Sequence, residues 1–174
     1  MSHFAQRKFC SKVKQKFSNY FENKRVLEIG SRDVNGSVRN LFENCDYIGI
    51  DAVQAAGVDQ VCLGHEFNDA PNSFDVVCAV EVFEHDPYAK QTVANMLNLL
   101  RPGGLFFMTC AGQGRPEHGT TRTGPLYGPD ADFYCNVSSS MFLEWVQDSP
   151  FEEIFLQYNR ESSDLYCFAI KENS

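Results

Sequence analysis

The sequence has no apolar run approaching the ~20 residues that a helix needs to cross a bilayer, so no membrane partner is expected. It has no Cys-x-x-Cys pair either. Its seven cysteines stand singly at 10, 45, 62, 78, 110, 135 and 167, which indicates neither a disulfide framework nor a zinc site. Cys62, Cys78, Cys110 and Cys167 fall inside strand-like runs and read as small buried hydrophobes in a reducing, cytoplasmic compartment. No internal repeat or low-complexity tract appears, and 174 residues suffice for one core but not two.

Positive charge is also scarce, and what there is lies at one end. Residues 1–25 hold seven Lys or Arg against one Glu, so a formal charge of -8 for the whole leaves -14 on the rest. An acidic body argues against general nucleic-acid binding. In the basic segment Phe4, Phe9, Val13, Phe17 and Phe21 recur at four- and five-residue steps while Lys8, Lys12 and Lys16 mark another face. A transit peptide, an RNA handle and a cover helix over residues 1–24 all fit; the cover helix is favoured because the segment runs into the first strand without a linker.

What is present is organised around Arg25 to Asp51. Val26, Leu27 and Ile29 form a β-branched, apolar run that stops at Gly30, and a second run from Tyr47 to Ile50 ends on Asp51. Between them Asn35-Gly36 makes a turn, and Val38, Leu41 and Phe42 give a helical face capped near Asn35 or Ser37. An acid about 20 residues beyond a loop glycine is where nucleotide-binding α/β folds hold two ribose hydroxyls. The dinucleotide fingerprint is incomplete, since Arg32 and Asn35 occupy its other glycine positions and Asp33 would repel a pyrophosphate. A ligand with a ribose, an ammonium and a sulfonium tolerates Glu28 and Asp33.

That loop resembles motif I of the class I S-adenosylmethionine-dependent methyltransferases. The likeness continues through Phe74-Asp75-Val76-Val77-Cys78-Ala79-Val80-Glu81-Val82-Phe83-Glu84-His85 and Leu100-Arg101-Pro102-Gly103-Gly104-Leu105-Phe106-Phe107, in order and spacing over roughly residues 25–110. The departure is in motif I, where the commoner Gly-x-Gly-x-Gly is reduced to Gly30 with Gly36 further on. The resemblance implies a single Rossmann-like α/β domain, a doubly wound, mostly parallel sheet in three αβα layers with a C-terminal antiparallel hairpin strand. It implies S-adenosylmethionine as cofactor, with Glu28, Gly30, Ser31, Asp51, Ala52, His65, Glu66 and Val80 as contacts. The acceptor would be a small molecule or a glycan, methylated on oxygen or nitrogen; the oligomeric state stays open.

Along the rest of the chain, Val58 to Leu63 reads as a third strand, and only about eight polar residues precede the fourth, too few for the usual crossover helix. Asp86-Pro87 opens a helix carrying Val93, Met96, Leu97 and Leu100, ended by Pro102-Gly103-Gly104. Ala111 to Asn136 reads as a long loop able to fold over the pocket as a lid. Ser138 or Ser139 caps a last helix with Met141, Phe142, Trp145 and Val146, and Phe151–Tyr158 and Leu165–Ile170 form the hairpin.

Methyl transfer from a sulfonium is an in-line displacement that mainly needs positioning, while a hydroxyl acceptor also needs a base or a metal. His85 and His118 are the candidate catalytic groups. Glu81, Glu84 and His85 stand at i, i+3 and i+4, sharing a face if the chain turns helically after the fourth strand. The spacing is similar to a Glu-x-x-Glu-His cluster that binds a divalent metal in small-RNA 2'-O-methyltransferases and some ubiquinone-pathway O-methyltransferases, the RNA enzymes adding a later histidine where His118 stands. A Glu-His pair there also serves many methyltransferases without metal, so a divalent ion is only an alternative and no metal ligand is assigned. Arg115 and Arg122 could hold an acidic acceptor or be solvated loop charges, with Phe133-Tyr134 beside them. Two further readings remain: a nucleoside-binding module without turnover, and a metal-dependent O-methyltransferase acting on RNA or a small molecule.

Overall fold

The computed structural model describes residues 4–124 and 132–173. Its strands are β1 (Arg25–Ile29), β2 (Asp46–Asp51), β3 (Gln60–Val61), β4 (Phe74–Val80), β5 (Leu100–Ala111), β6 (Phe151–Asn159) and β7 (Asp164–Lys171). They form one sheet in the order β3-β2-β1-β4-β5-β7-β6. β1 to β5 pair in parallel, and β7 enters antiparallel between β5 and β6. Strand residues alternate between the two faces of a sheet, so every adjacent apolar pair here feeds two cores.

One face carries Val26, Val76, Cys78, Leu105 and Phe107, packed under Phe9, Cys10 and Val13 of helix α1 (Phe4–Lys16) and under Phe21. The other carries Leu27, Val77, Ala79, Phe106 and Met108, packed under Val93 and Met96 of α2 (Ala89–Leu99) and Phe142 and Val146 of α3 (Ser139–Val146). Burying each such side chain contributes roughly 1.5–3 kcal/mol, so the three αβα layers follow from the doublets. Lys8, Lys12 and Lys16 lie on the exposed face of α1. Phe4, placed in the apolar series by its spacing, is 74% exposed.

The sequence expectations hold for the sheet, for α3 and its Ser138 cap, which accepts from the Met141 N–H at 3.2 Å, and for the hairpin. Three elements are smaller than their patterns imply. The helix between β1 and β2 is a 3₁₀ turn, Val38–Leu41, because Phe42 is already extended. β3 covers two residues rather than six: just before it the Asp59 carboxylate, not a backbone carbonyl, takes the Gly49 N–H at 2.7 Å. α2 begins at Ala89, since Asp86 holds the preceding turn by accepting from the Tyr88 N–H at 2.7 Å and the Thr92 hydroxyl at 2.5 Å. The segment between β3 and β4 contains turns and no helix, as its length suggested.

Candidate functional site

Strand order reverses between β1 and β4, and an open cleft lies off the carboxyl ends of β1, β2 and β4 at that switch point. Its lining includes Glu28, Gly30, Ser31, Arg32, Asp51, Ala52, Leu63, Gly64, Val80, Glu81, Val82 and His85. Gly30 has φ +74°, and a β-carbon there would sit 2.1 Å from Val82 Cγ2. Only glycine lets the chain leave β1 this close to the β4 turn. The N–H groups of Gly30 and Ser31 both donate to the Ile50 carbonyl, at 2.8 and 2.9 Å, and the Gly36 N–H donates to Asp33 Oδ1 at 2.7 Å. Amides that cradle a phosphate in dinucleotide folds are therefore engaged within this loop.

Glu28 is buried and accepts from the Tyr47 hydroxyl at 2.8 Å. Burial pushes its carboxyl up to about 7, against the opposing pull of that hydrogen bond and of Arg39. Asp51 closes β2, with Oδ1 accepting from the Val53 N–H at 3.0 Å. Burial raises its carboxyl above the usual range, opposed by the backbone amides of Val53, Arg32 and Ala52. Among the described residues Ser31 Oγ is buried without a hydrogen-bond partner, a donor and acceptor that a ligand could use.

Beside the cleft, off the end of β4, is a second group. Glu81 has φ +59°, a left-handed conformation that a side-chain-bearing residue adopts at a cost of about 1–2 kcal/mol. Its N–H donates to the Thr109 carbonyl at 2.8 Å and Oε1 accepts from the Thr109 hydroxyl at 3.1 Å. The turn closed by the His85 N–H on the Val82 carbonyl starts only after it. Hence the expected single face of Glu81, Glu84 and His85 does not form. Instead Glu84, His85 and His118 each place a ligand-type atom within 4.8 Å of the others, with Glu81 outside that set.

Glu84 is fully buried, and among the described residues its carboxylate meets no side-chain donor, only the backbone amides of Glu84 and Ala111. Burial raises both Glu81 and Glu84; the charge of Glu84 adds to the rise at Glu81, while backbone amides oppose the rise at Glu84. Burial lowers His85 to about 4 and also lowers His118. Both imidazoles are thus neutral near pH 7, able to accept a proton or donate a lone pair. The Tyr134 ring meets them edge on, with centroids at 5.4 and 5.2 Å, and the Cys135 N–H donates to the Glu84 carbonyl at 2.9 Å, tying this loop to the turn.

Of the candidate contacts, Glu28, Gly30, Ser31, Asp51, Ala52, Val80 and His85 line the cleft together. His65 and Glu66 are not among its lining residues; the chain just before them, Cys62 to Gly64, is, while His65 packs on Tyr88 at 4.3 Å. His118 is not among the lining residues, although its neighbour Gly119 is. Of the loop expected as a lid, residues 125–131 lie outside the described residues. The loop arginines are committed elsewhere: Arg115 pairs with buried Asp164 at 2.9 Å, and Arg122 pairs with Glu117 at 2.6 Å. Val82, Asp86 and Pro87 line the cleft, although the sequence assigned them no site role and Asp86-Pro87 read only as a helix start. Their position directly after a strand that ends at a switch point was the available signal.

The model for a methyltransferase domain matches residues 1–152. A search of curated proteins returns no match. Among solved structures, the chain resembles Burkholderia thailandensis 1,6-didemethyltoxoflavin-N1-methyltransferase with bound 1,6-didemethyltoxoflavin and S-adenosylhomocysteine. The TM-score is 0.69 at 15% identity, over 98% of this chain and 79% of that one. It also resembles Haemonchus contortus phosphoethanolamine N-methyltransferase 2 with phosphomonomethylethanolamine and S-adenosylhomocysteine. There the TM-score is 0.67 at 15% identity over 96% of this chain, which spans about half (53%) of the larger one. The [4+2]-cyclase SpnF is similar as well, with a TM-score of 0.68 at 12% identity over 98% and 82%. At such identities a structural likeness carries the fold alone, whereas the family model covers most of the sequence. The chain belongs to the methyltransferase-domain family, with the Rossmann-like fold of the class I S-adenosylmethionine-dependent methyltransferases.

Proposed function

We propose that this protein transfers a methyl group from S-adenosylmethionine to an oxygen or nitrogen of a small molecule or glycan. The observation that carries this reading is the adjacency of a carboxylate-lined cleft at the tips of β1 and β2 to a pair of neutral imidazoles at the tip of β4. The residues present suit the cofactor. Glu28 faces the ammonium, Arg32 the carboxylate and Ser31 Oγ supplies an unused hydroxyl, while Asp51 accepts from the two ribose hydroxyls. The sulfonium supplies an activated methyl carbon. The chain's own work is to align the acceptor, exclude water and take up a proton, for which His85 lies in the cleft wall with the His118 ring against it, centroids 5.1 Å apart.

A nicotinamide dinucleotide is disfavoured because the loop amides it needs are hydrogen-bonded to Ile50 and Asp33. Calorimetry with S-adenosylmethionine and with a nicotinamide dinucleotide tests the cofactor half; binding of only the latter would sink the reading. Transfer of labelled methyl across a panel of hydroxyl and amine acceptors tests the rest. A cleft that binds the cofactor but moves no methyl onto any of them would favour a binding module or another chemistry, and the fold's occurrence in a [4+2]-cyclase gives that outcome substance.

A further inference from the structure

We propose that Tyr47, which does not itself line the cleft, is a positioning residue for the cofactor: it holds Glu28 by one carboxylate oxygen and leaves the other for the ligand's ammonium. This deepens the cofactor reading above and rests on it. β1 and β2 pair in register, with Glu28 opposite Gly49. Tyr47 and Asp51, two residues to either side of Gly49, share its face of the sheet. Gly49 has to be small, because a β-carbon there would meet Ser31 Cβ at 2.6 Å and Arg39 Nη2 at 2.7 Å. Arg39 uses that space to lie over the Tyr47 ring, 4.5 Å from its centroid, and Phe42 meets the ring edge on at 5.3 Å. Held on both sides, Tyr47 donates its hydroxyl to Glu28 Oε2 at 2.8 Å.

The chemistry of the donor matters as much as its place. An arginine paired directly with Glu28 would cancel its charge and occupy the oxygens that an ammonium needs. Arg39 is kept from doing so: Nη1 and Nη2 donate to Asp59, and Nη2 also donates to the Gly57 carbonyl at 3.1 Å. It acts on Glu28 only through its field. The tyrosine hydroxyl is neutral, and burial pushes it well above its ordinary value, so it stays a donor. A hydrogen bond to the ionised carboxyl favours that form and leaves its negative charge for an incoming cation.

The other titratable groups facing Glu28 do not do this work. Asp33 and Asp51 push its carboxyl further up. Cys10 on α1 and Cys78 on β4 are thiols that burial keeps neutral. Against burial and two like charges, the Tyr47 hydroxyl and the Arg39 field are what favour the carboxylate.

The test measures calorimetric affinities of the whole chain for S-adenosylmethionine and for 5'-methylthioadenosine, a nucleoside thioether without an ammonium. We expect Tyr47→Phe to weaken S-adenosylmethionine about tenfold at pH 6 and by less at pH 8, where Glu28 ionises more readily. Comparing variant with parent at each pH cancels the ligand's own titration. Methylthioadenosine should bind both alike. In a Glu28→Gln background, Tyr47→Phe should add no further loss, since its effect passes through that carboxylate. Equal losses for the two ligands would make Tyr47 a general support of the cleft and overturn the proposal. So would the same loss persisting in Glu28→Gln. If Tyr47→Phe alone does not fold, the double variant decides: it should bind S-adenosylmethionine as Glu28→Gln does, and weaker binding overturns the proposal. A parent that does not bind S-adenosylmethionine refutes the cofactor reading and the proposal with it, whereas a parent and Tyr47→Phe that bind it equally well refute the proposal alone.

Discussion

Around the tip of β2 most polar groups are matched by backbone partners, whereas around the tip of β4 carboxylates are buried with little to meet. Asp51 accepts from Val53, Asp33 from Gly36, and Gly30 and Ser31 donate to Ile50. Across the cleft, among the described residues, the buried Glu84 carboxylate meets no side-chain donor, Glu81 lacks a partner on Oε2, and Glu81 carries a left-handed backbone. Unpaired buried groups and backbone strain cost stability and persist where the surrounding fold enforces them, which is typical of reacting centres. The β2 side therefore has the character of a preformed receptor, and the β4 side of a place where charge is to be introduced.

Sharpening that contrast begins with the anchor of the β4 side. Arg115 pairs with Asp164, which is fully buried, and also donates to the Ser162 carbonyl at 2.8 Å. Arg115→Met should cost about 3–5 kcal/mol in denaturant unfolding, because a buried carboxylate loses its counter-charge. A loss below ~1 kcal/mol would mean that solvent reaches Asp164 and that this half is not held by buried charge. On the β2 side, Gly30→Ala should cost about 2–4 kcal/mol and weaken the cofactor, since overpacking against Val82 adds to an unfavourable positive φ. A variant as stable as the parent would show that the loop has slack and is no rigid receptor.

These two positions also show what the sequence could convey. Gly30 was legible because a glycine ending a β-branched run has a local meaning, and so were Asp51, Ser138 and the alternation that builds both cores. Arg115 was not: its partner is 49 residues away, and a loop arginine looks the same whether it meets substrate or an internal carboxylate. The Glu81, Glu84, His85 spacing was readable, but its geometry depends on a left-handed Glu81 that nothing in residue type announces. β3 contracted for a similar reason, a side-chain acceptor from Asp59 competing with the ladder.

The third prediction tests the receptor side through pH. Glu28 is raised to about 7 by burial, above the ordinary value of 4.5, so the folded state holds this proton more tightly than the unfolded state does. Its contribution is full below about pH 4.5 and is lost as pH rises through about 7, amounting to about 3 kcal/mol at roughly 1.4 kcal/mol per unit. Glu28→Gln should flatten the stability profile across that window. A slope that persists in the variant would assign it to other groups. With S-adenosylmethionine bound, the ammonium should draw the carboxyl back down, so binding near pH 7 should release a proton, read as a buffer-dependent heat in calorimetry.

The smallest expected effect is the most specific to the cofactor. Asp51→Ala should weaken S-adenosylmethionine by about 1.5–3 kcal/mol, the range for hydrogen bonds to a charged group. Loss of the Val53 N–H partner alone concerns a partly exposed turn and should cost stability no more than about 1 kcal/mol. Asp51→Asn separates the two contributions: the amide oxygen can still accept from Val53, but the charge is gone and one of the two ribose acceptors becomes a donor. Native stability with affinity as poor as in Asp51→Ala would assign the binding energy to the carboxylate's charge and its paired acceptors. Affinity restored in Asp51→Asn would mean that Asp51 shapes the turn and that the ribose is held elsewhere along the cleft. Unchanged affinity in both variants would remove Asp51 from the receptor and, with it, the contrast between the two sides.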